Sequence, residues 1–207
     1  MRTRCCELGF MEKPLAPPLR GRQGHFRLES GHHGDLWFSL ETLCLQPRVI
    51  RPLAAQLAAQ LKQYKVEAIC GPLVEGAFVA LMVALELGCD FVYAERFQDT
   101  TRDGLFPVEY RLPKALQPSV KGKRVAIVND VINAGSAVRG VFHDLRANGA
   151  EILAIGALLA LGDAIVHFAD EQRVALELLE RRANNLWIPE ECPLCADGVA
   201  LEIVGTS

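Results

Sequence analysis

The chain reads as an α/β protein built on a doubly wound parallel sheet, and three observations predict it. Short apolar runs alternate with longer helical patterns in the order strand, helix, strand, excursion, strand, helix, strand. Two of the runs, Val125–Val128 and Ile152–Leu161, are unbroken in the way of strands covered on both faces. Two strand-to-helix connections carry glycines, Gly71 with Gly76 and Gly135. With 207 residues, 50% of them hydrophobic, the chain can bury a sizeable core as one domain with a small appendage.

Residues 1–22 carry Pro14, Pro17, Pro18 and Gly21 and are expected to be poorly ordered. Two strand-like pieces around Ser30-Gly31 follow, from His25 to Leu40. Pro47 precedes a helix with the apolar stripe Ile50, Leu53, Leu57 and Leu61. A strand at Val66–Cys70 leads through Gly71–Gly76 into an apolar helix that runs to Gly88, and Phe91–Glu95 is the next strand. Residues 97–122 are polar and irregular, with a hairpin turn at Asp103-Gly104. After the strand and helix on either side of Gly135 comes Ile152–Leu161, then a short helix over 163–171. A segment at Val174–Arg181 fits strand or helix and leads to a tail hook from Trp187 to Cys195.

The stretch Arg124–Gly140 holds the features of a phosphate site in order. The buried strand ends on two polar residues, Asn129 and Asp130, before the loop Asn133-Ala134-Gly135-Ser136 and a helix starting at Ala137. In open α/β sheets ligands bind beyond the carboxyl ends of the strands, and free N–H groups at a helix start attract phosphate. Asp130 at the strand tip is suited to sugar hydroxyls or a hydrated Mg²⁺. Arg139, on the first helical turn, is either a solvated arginine or a two-pronged donor for a carboxylate.

This stretch resembles the phosphoribosyl-diphosphate (PRPP) motif of type I phosphoribosyltransferases, and it is most similar to the orotate phosphoribosyltransferase version. Two further segments match: His25–Gly31 is similar to the hood segment of the orotate enzymes, and Gly71–Ala77 to the family's pyrophosphate loop. The resemblance spans roughly residues 24–200. It implies a hood hairpin and helix over 23–64, a phosphoribosyltransferase core over 65–185 and a C-terminal hook over 186–207. It also implies transfer of the 5-phosphoribosyl group of PRPP to a pyrimidine nitrogen, Mg²⁺ as cofactor and a homodimer in which a lid covers the neighbour's site.

By the same resemblance, Asn133, Ala134, Gly135, Ser136 and Ala137 hold the 5′-phosphate, while Asp130, as the metal ligand, and Asn129 hold the ribose hydroxyls. Gly71, Pro72, Glu75 and Gly76 hold pyrophosphate, Arg139 meets the carboxylate of orotate, and Phe26 and Glu29 lie near the base. From the residues themselves, Arg96 or Arg102 is a cation available to neutralise developing pyrophosphate charge, and either reads equally as a solvated loop cation. Three features depart from the pattern. Asn129 stands where the family usually has an acid, Glu29 where many orotate enzymes have lysine, and the 97–118 loop has no histidine. They keep two alternatives open: a phosphoribosyltransferase for another base, and a non-catalytic PRPP- or nucleotide-binding regulator.

Seven cysteines and no apolar leader argue against a disulfide framework and for a soluble, cytoplasmic protein. A net charge of −3 gives no basic surface for nucleic acid, and no apolar run reaches a membrane span. Cys192-Pro193-Leu194-Cys195 has the spacing of half a zinc site. Without a second half, from Cys5-Cys6 or a partner subunit, it reads as a tail hook with free thiols; the orotate enzymes of a bacterial type end similarly. His25, His32 and His33, with Asp35 nearby, fit no common ligand spacing and are expected to be metal-free.

Overall fold

In a computed structural model, which describes residues 21–38, 43–98 and 108–204, the chain forms a large sheet between two helical layers and a small sheet against one end. The elements run β1 (Gly21–Arg27), β2 (His33–Phe38), α1 (Pro47–Leu61), β3 (Ala68–Pro72), α2 (Glu75–Leu87), β4 (Asp90–Gln98), β5 (Val108–Arg111) and α3 (Gln117–Val120). They continue with β6 (Arg124–Ile132), α4 (Ser136–Ala147), β7 (Glu151–Leu161), α5 (Ala164–Gln172), β8 (Ala175–Arg182), β9 (Leu186–Trp187), α6 (Pro193–Ala196) and β10 (Glu202–Ile203).

The large sheet has the order β5-β4-β3-β6-β7-β8. All neighbours are parallel except the edge strand β5, which returns antiparallel along β4. The chain starts at the centre, winds one way to β4 and then the other way to β8, which is the doubly wound arrangement. Successive side chains of a strand point to opposite faces. In β6, Ala126 and Val128 therefore join the layer of α1 and α2, while Val125 and Ile127 join that of α4 and α5. Both faces are dry, which is why the run is apolar without alternation.

Residues 175–182, which the sequence left between strand and helix, form β8 at the edge of the sheet. Gly21 and Arg22 already belong to β1. The small sheet, of order β10-β1-β2-β9, joins the N-terminal hairpin to two pieces of the C-terminal hook. Phe26 and Leu28 pack there with Val204, Trp37 and Leu186. The turn at Asp103-Gly104 lies outside the described residues, but β4 and β5 on either side of it pair antiparallel as a hairpin requires. No helix among the described residues is long and apolar enough to cross a membrane.

Candidate active site

A cleft of ≈ 480 Å³ opens at the carboxyl ends of β3 and β6. Its floor is the β6–α4 loop from Asn129 to Val138, and one wall is Pro72–Gly76, where β3 passes into α2. Leu28, Glu29 and Ser30 of the hood, with Trp37, close it from above, and Arg96 and Tyr110 of the β4–β5 hairpin complete it. Its position follows from topology: β3 and β6 are the adjacent strands at which the winding reverses.

Asp130 is the chemical centre of this cleft. It is only 4% exposed, and among the described residues its Oδ2 has no hydrogen-bond partner. Burial pushes its carboxyl up to about 7; Glu75 adds to the rise, and the backbone N–H groups of Val131 and Asp130 oppose it. An unpartnered buried carboxylate oxygen needs a ligand that donates to it, either hydroxyl or cation. The donor set, Asp130 with Glu75 across the cleft, is all oxygen and suits Mg²⁺.

The loop after Asp130 is built for an anion. Gly135 sits at φ +83°, the left-handed region that glycine enters freely, and turns the chain into α4. The start of α4, Ser136 and Ala137, borders the cleft, and a helix start carries free N–H groups and the positive end of the dipole. Asn133 is tied from outside by Asn184, whose amide donates to Asn133 Oδ1 at 3.0 Å.

Several expected site residues have packing partners of their own, and some lie outside this cleft. Asn129 lines the cleft, but its Nδ2 donates to Val131 O at 3.0 Å, and its Oδ1 occupies the space where a Gly76 side chain would be. Gly76 therefore makes room for Asn129, where an approaching anion was expected. Gly71 is a packing glycine: a Cβ there would stand 2.6 Å from Ala80 Cβ and 2.7 Å from Ala77 Cα. The Leu73–Val74 peptide in this loop is cis. Phe26 is in the hood core with Arg22 stacked on its ring at 4.8 Å, since strand alternation turns it toward Val204.

Arg139 is turned toward α5. Its guanidinium lies 4.4 Å from the Phe168 ring centre and donates to Ala164 O at 3.2 Å. It lines a second cleft of ≈ 520 Å³, which shares Tyr110 and Ser136 with the first. Arg102 lies outside the described residues. Arg96 and Glu29 do meet in the main cleft, with Nε 3.0 Å from Oε2. Tyr110 donates its hydroxyl to the same carboxylate at 3.2 Å. Burial raises the Glu29 carboxyl, and Arg96 and Tyr110 oppose that rise. Arg96 thus offsets the negative charge that Glu29 brings to the cleft. Tyr110 and Asn184 carry no local signal, since both act on residues more than fifty positions away.

The fold and this cleft define a nucleotide-type α/β enzyme with its site at the switch point of the sheet. Residues 42–185 match the family model of the phosphoribosyl transferase domain, and the chain belongs to the phosphoribosyltransferase family. Its members are enzymes that take PRPP and a base as substrates. The chain is 28% identical over 179 residues to an orotate phosphoribosyltransferase of Caldanaerobacter subterraneus, covering 86% of this chain and 87% of that one. It is 30% identical over 186 residues to an orotate phosphoribosyltransferase of Thermotoga maritima, covering 89% and 91%. The orotate phosphoribosyltransferase structure from Aeropyrum pernix superposes with a TM-score of 0.58 at 21% identity, covering 78% of this chain and 87% of that one. The adenine phosphoribosyltransferase structure from Thermoanaerobacter pseudethanolicus superposes with 0.60 at 16% identity, covering 80% and 96%. Those two superpositions establish the type I fold.

Proposed function

We propose that this chain transfers the 5-phosphoribosyl group of PRPP to orotate and releases pyrophosphate, as a cytoplasmic homodimer. The observation that carries the reading is the buried Asp130 carboxylate, its Oδ2 without a hydrogen-bond partner among the described residues, one loop before the start of α4. The orotate-named relatives, similar along most of the chain, support orotate as the acceptor.

In this account the N–H groups of Asn133 to Ala137 hold the 5′-phosphate. The loop Pro72–Gly76 bounds the pyrophosphate side, with Glu75 at its end. As the bond from ribose C1 to pyrophosphate breaks and that to a pyrimidine nitrogen forms, positive charge builds on the ring. Asp130 faces that charge from a buried position, where its field is screened less than in bulk water. Asp130 and Glu75 are the residues that would hold Mg²⁺, which when bound neutralises charge on the departing pyrophosphate. Arg96 is held beside the cleft by Glu29 and Tyr110.

The homodimer is supported by α2 and the residue before it, where Val74, Phe78, Leu81 and Leu85 are exposed apolar side chains at helical spacing. A second reading, transfer to another base, is favoured by one observation: Arg139 is held by Phe168 and Ala164 and lines the neighbouring cleft. Pyrophosphate release from PRPP and Mg²⁺ with orotate, uracil, adenine and hypoxanthine in turn decides between the two. Orotate alone is expected to support release. Release with another base, and none with orotate, would replace this reading by the second.

A further inference from the structure

The sequence offered half a zinc site in Cys192 and Cys195 and a histidine cluster of no common ligand spacing, and the fold brings the two together. His25 and His33 come from the hood hairpin, Cys192 and Cys195 from the C-terminal hook about 160 residues later, and one ligand atom from each lies within 4.8 Å of all the others. We infer that His25, His33, Cys192 and Cys195 form a tetrahedral Zn²⁺ site that fastens the C-terminal hook across the hood.

The spacings are those of such a site. Zn–N bonds of about 2.05 Å and Zn–S bonds of about 2.3 Å at tetrahedral angles put N···N edges near 3.3 Å and N···S edges near 3.5 Å. Here His25 Nε2 and His33 Nδ1 are 3.2 Å apart. Cys192 Sγ is 3.4 Å from His25 Nε2, and Cys195 Sγ is 3.7 Å from His25 Nε2 and 3.3 Å from His33 Nδ1.

Hydrogen bonding alone does not account for this convergence. His25 Nδ1 lies 2.8 Å from Val199 O, a carbonyl that only accepts, so Nδ1 carries the proton and Nε2 has a single lone pair. Three groups crowd that one lone pair: His33 Nδ1, Cys192 Sγ and Cys195 Sγ. One cation takes a lone pair from each of the four. The carbonyl behind His25 is also the outer-shell partner that orients a metal-bound imidazole.

The charges balance. Two thiols give up their protons to solvent and two imidazoles bind neutral, so two thiolates cancel Zn²⁺, and no oxidant or reductant is needed. A neutral centre suits a place where His25, His33 and Cys192 are buried. Four protein ligands leave no open position, which makes the site structural. It lies under the crossing from β9, paired to β2, to β10, paired to β1. The hairpin it clamps runs on into Leu28, Glu29 and Ser30, the roof of the cleft. The free-thiol hook and the metal-free histidine cluster of the sequence reading are thereby both revised.

The test is elemental analysis of the full-length, untagged protein purified without chelator. One zinc per chain is expected, falling to background in Cys192→Ser and His33→Gln and retained in Cys195→His, which keeps four ligands. Replacing zinc by Co²⁺ in the wild-type protein gives a readout independent of how the variants fold. Tetrahedral ligand-field bands with thiolate charge transfer are expected. Metal-free wild-type protein that stays folded and takes up neither Zn²⁺ nor Co²⁺ would overturn the inference, as would a Cys192–Cys195 disulfide in protein isolated under reducing conditions.

Discussion

Taking a carboxylate out of water costs the folded state free energy, and Asp130, whose Oδ2 has no hydrogen-bond partner among the described residues, carries that cost at the centre of the cleft. Its ordinary value is 3.8, and in the fold burial raises it to about 7. Between those values the folded chain keeps a proton that the unfolded chain has released. Stability from this group is therefore full below pH 3.8, declines as pH rises toward about 7, and stays lost above it. Asp130→Asn removes the charge and keeps the shape. In ligand-free protein at pH 8 the variant should melt several degrees above wild type, at about 2–4 °C per kcal/mol, and the gap should close by pH 4. A variant that melts lower at pH 8 would mean that the carboxylate is satisfied in the free protein. Gly76 is the second residue with a sharp consequence. A methyl there meets the Asn129 amide, so Gly76→Ala should destabilise by about 1–3 kcal/mol in denaturant unfolding. Asp130 was legible as a strand-tip acid, but the contact between Gly76 and Asn129 was not, because nothing local ties those two positions.

At the scale of elements, periodicity told helices from strands wherever one environment ruled the whole segment. The run Val125–Val128 and the stripe on α1 were legible because β6 is dry on both sides and α1 on one. The segment 175–182 was ambiguous because β8 is a half-buried edge strand in which Glu177 and Glu180 sit among leucines. Helix α2 is apolar nearly all round, yet only one side of it is packed: Leu85 is 79% exposed and Phe78 44%. If that outer stripe meets a second copy, charging it should break the assembly without harming the fold. Phe78→Asp with Leu85→Glu should turn the dimer into a monomer by light scattering, with the melting temperature of the monomer fold intact. An unchanged dimer would move the interface to another surface.

For the whole molecule, the cleft is assembled from four distant stretches, and sequence reading recovered those whose chemistry is local. The phosphate loop, its strand and its helix are contiguous, so their order pointed to a phosphate site, and the family resemblance to PRPP. Arg139 was expected in the main cleft because its place in the motif fixes the helix turn but not the partner that α5 supplies, Phe168. Tyr110 sits in a stretch without pattern and acquires its place by packing on Gly140 and donating to Glu29. The hood and the hook were each legible alone, whereas their meeting at His25, His33, Cys192 and Cys195 is a property of the folded chain.

The central claim is that this cleft transfers phosphoribosyl groups with Asp130 at its centre. Steady-state pyrophosphate release with PRPP, Mg²⁺ and orotate, in wild type and Asp130→Asn side by side, tests it most directly. The account predicts orotate-dependent release in the wild type and a fall in kcat of about 10²–10³-fold in the variant, the size expected for losing one preorganised charge at a transition state. Equal turnover in the two proteins, or no release by a wild type that binds PRPP, would contradict it.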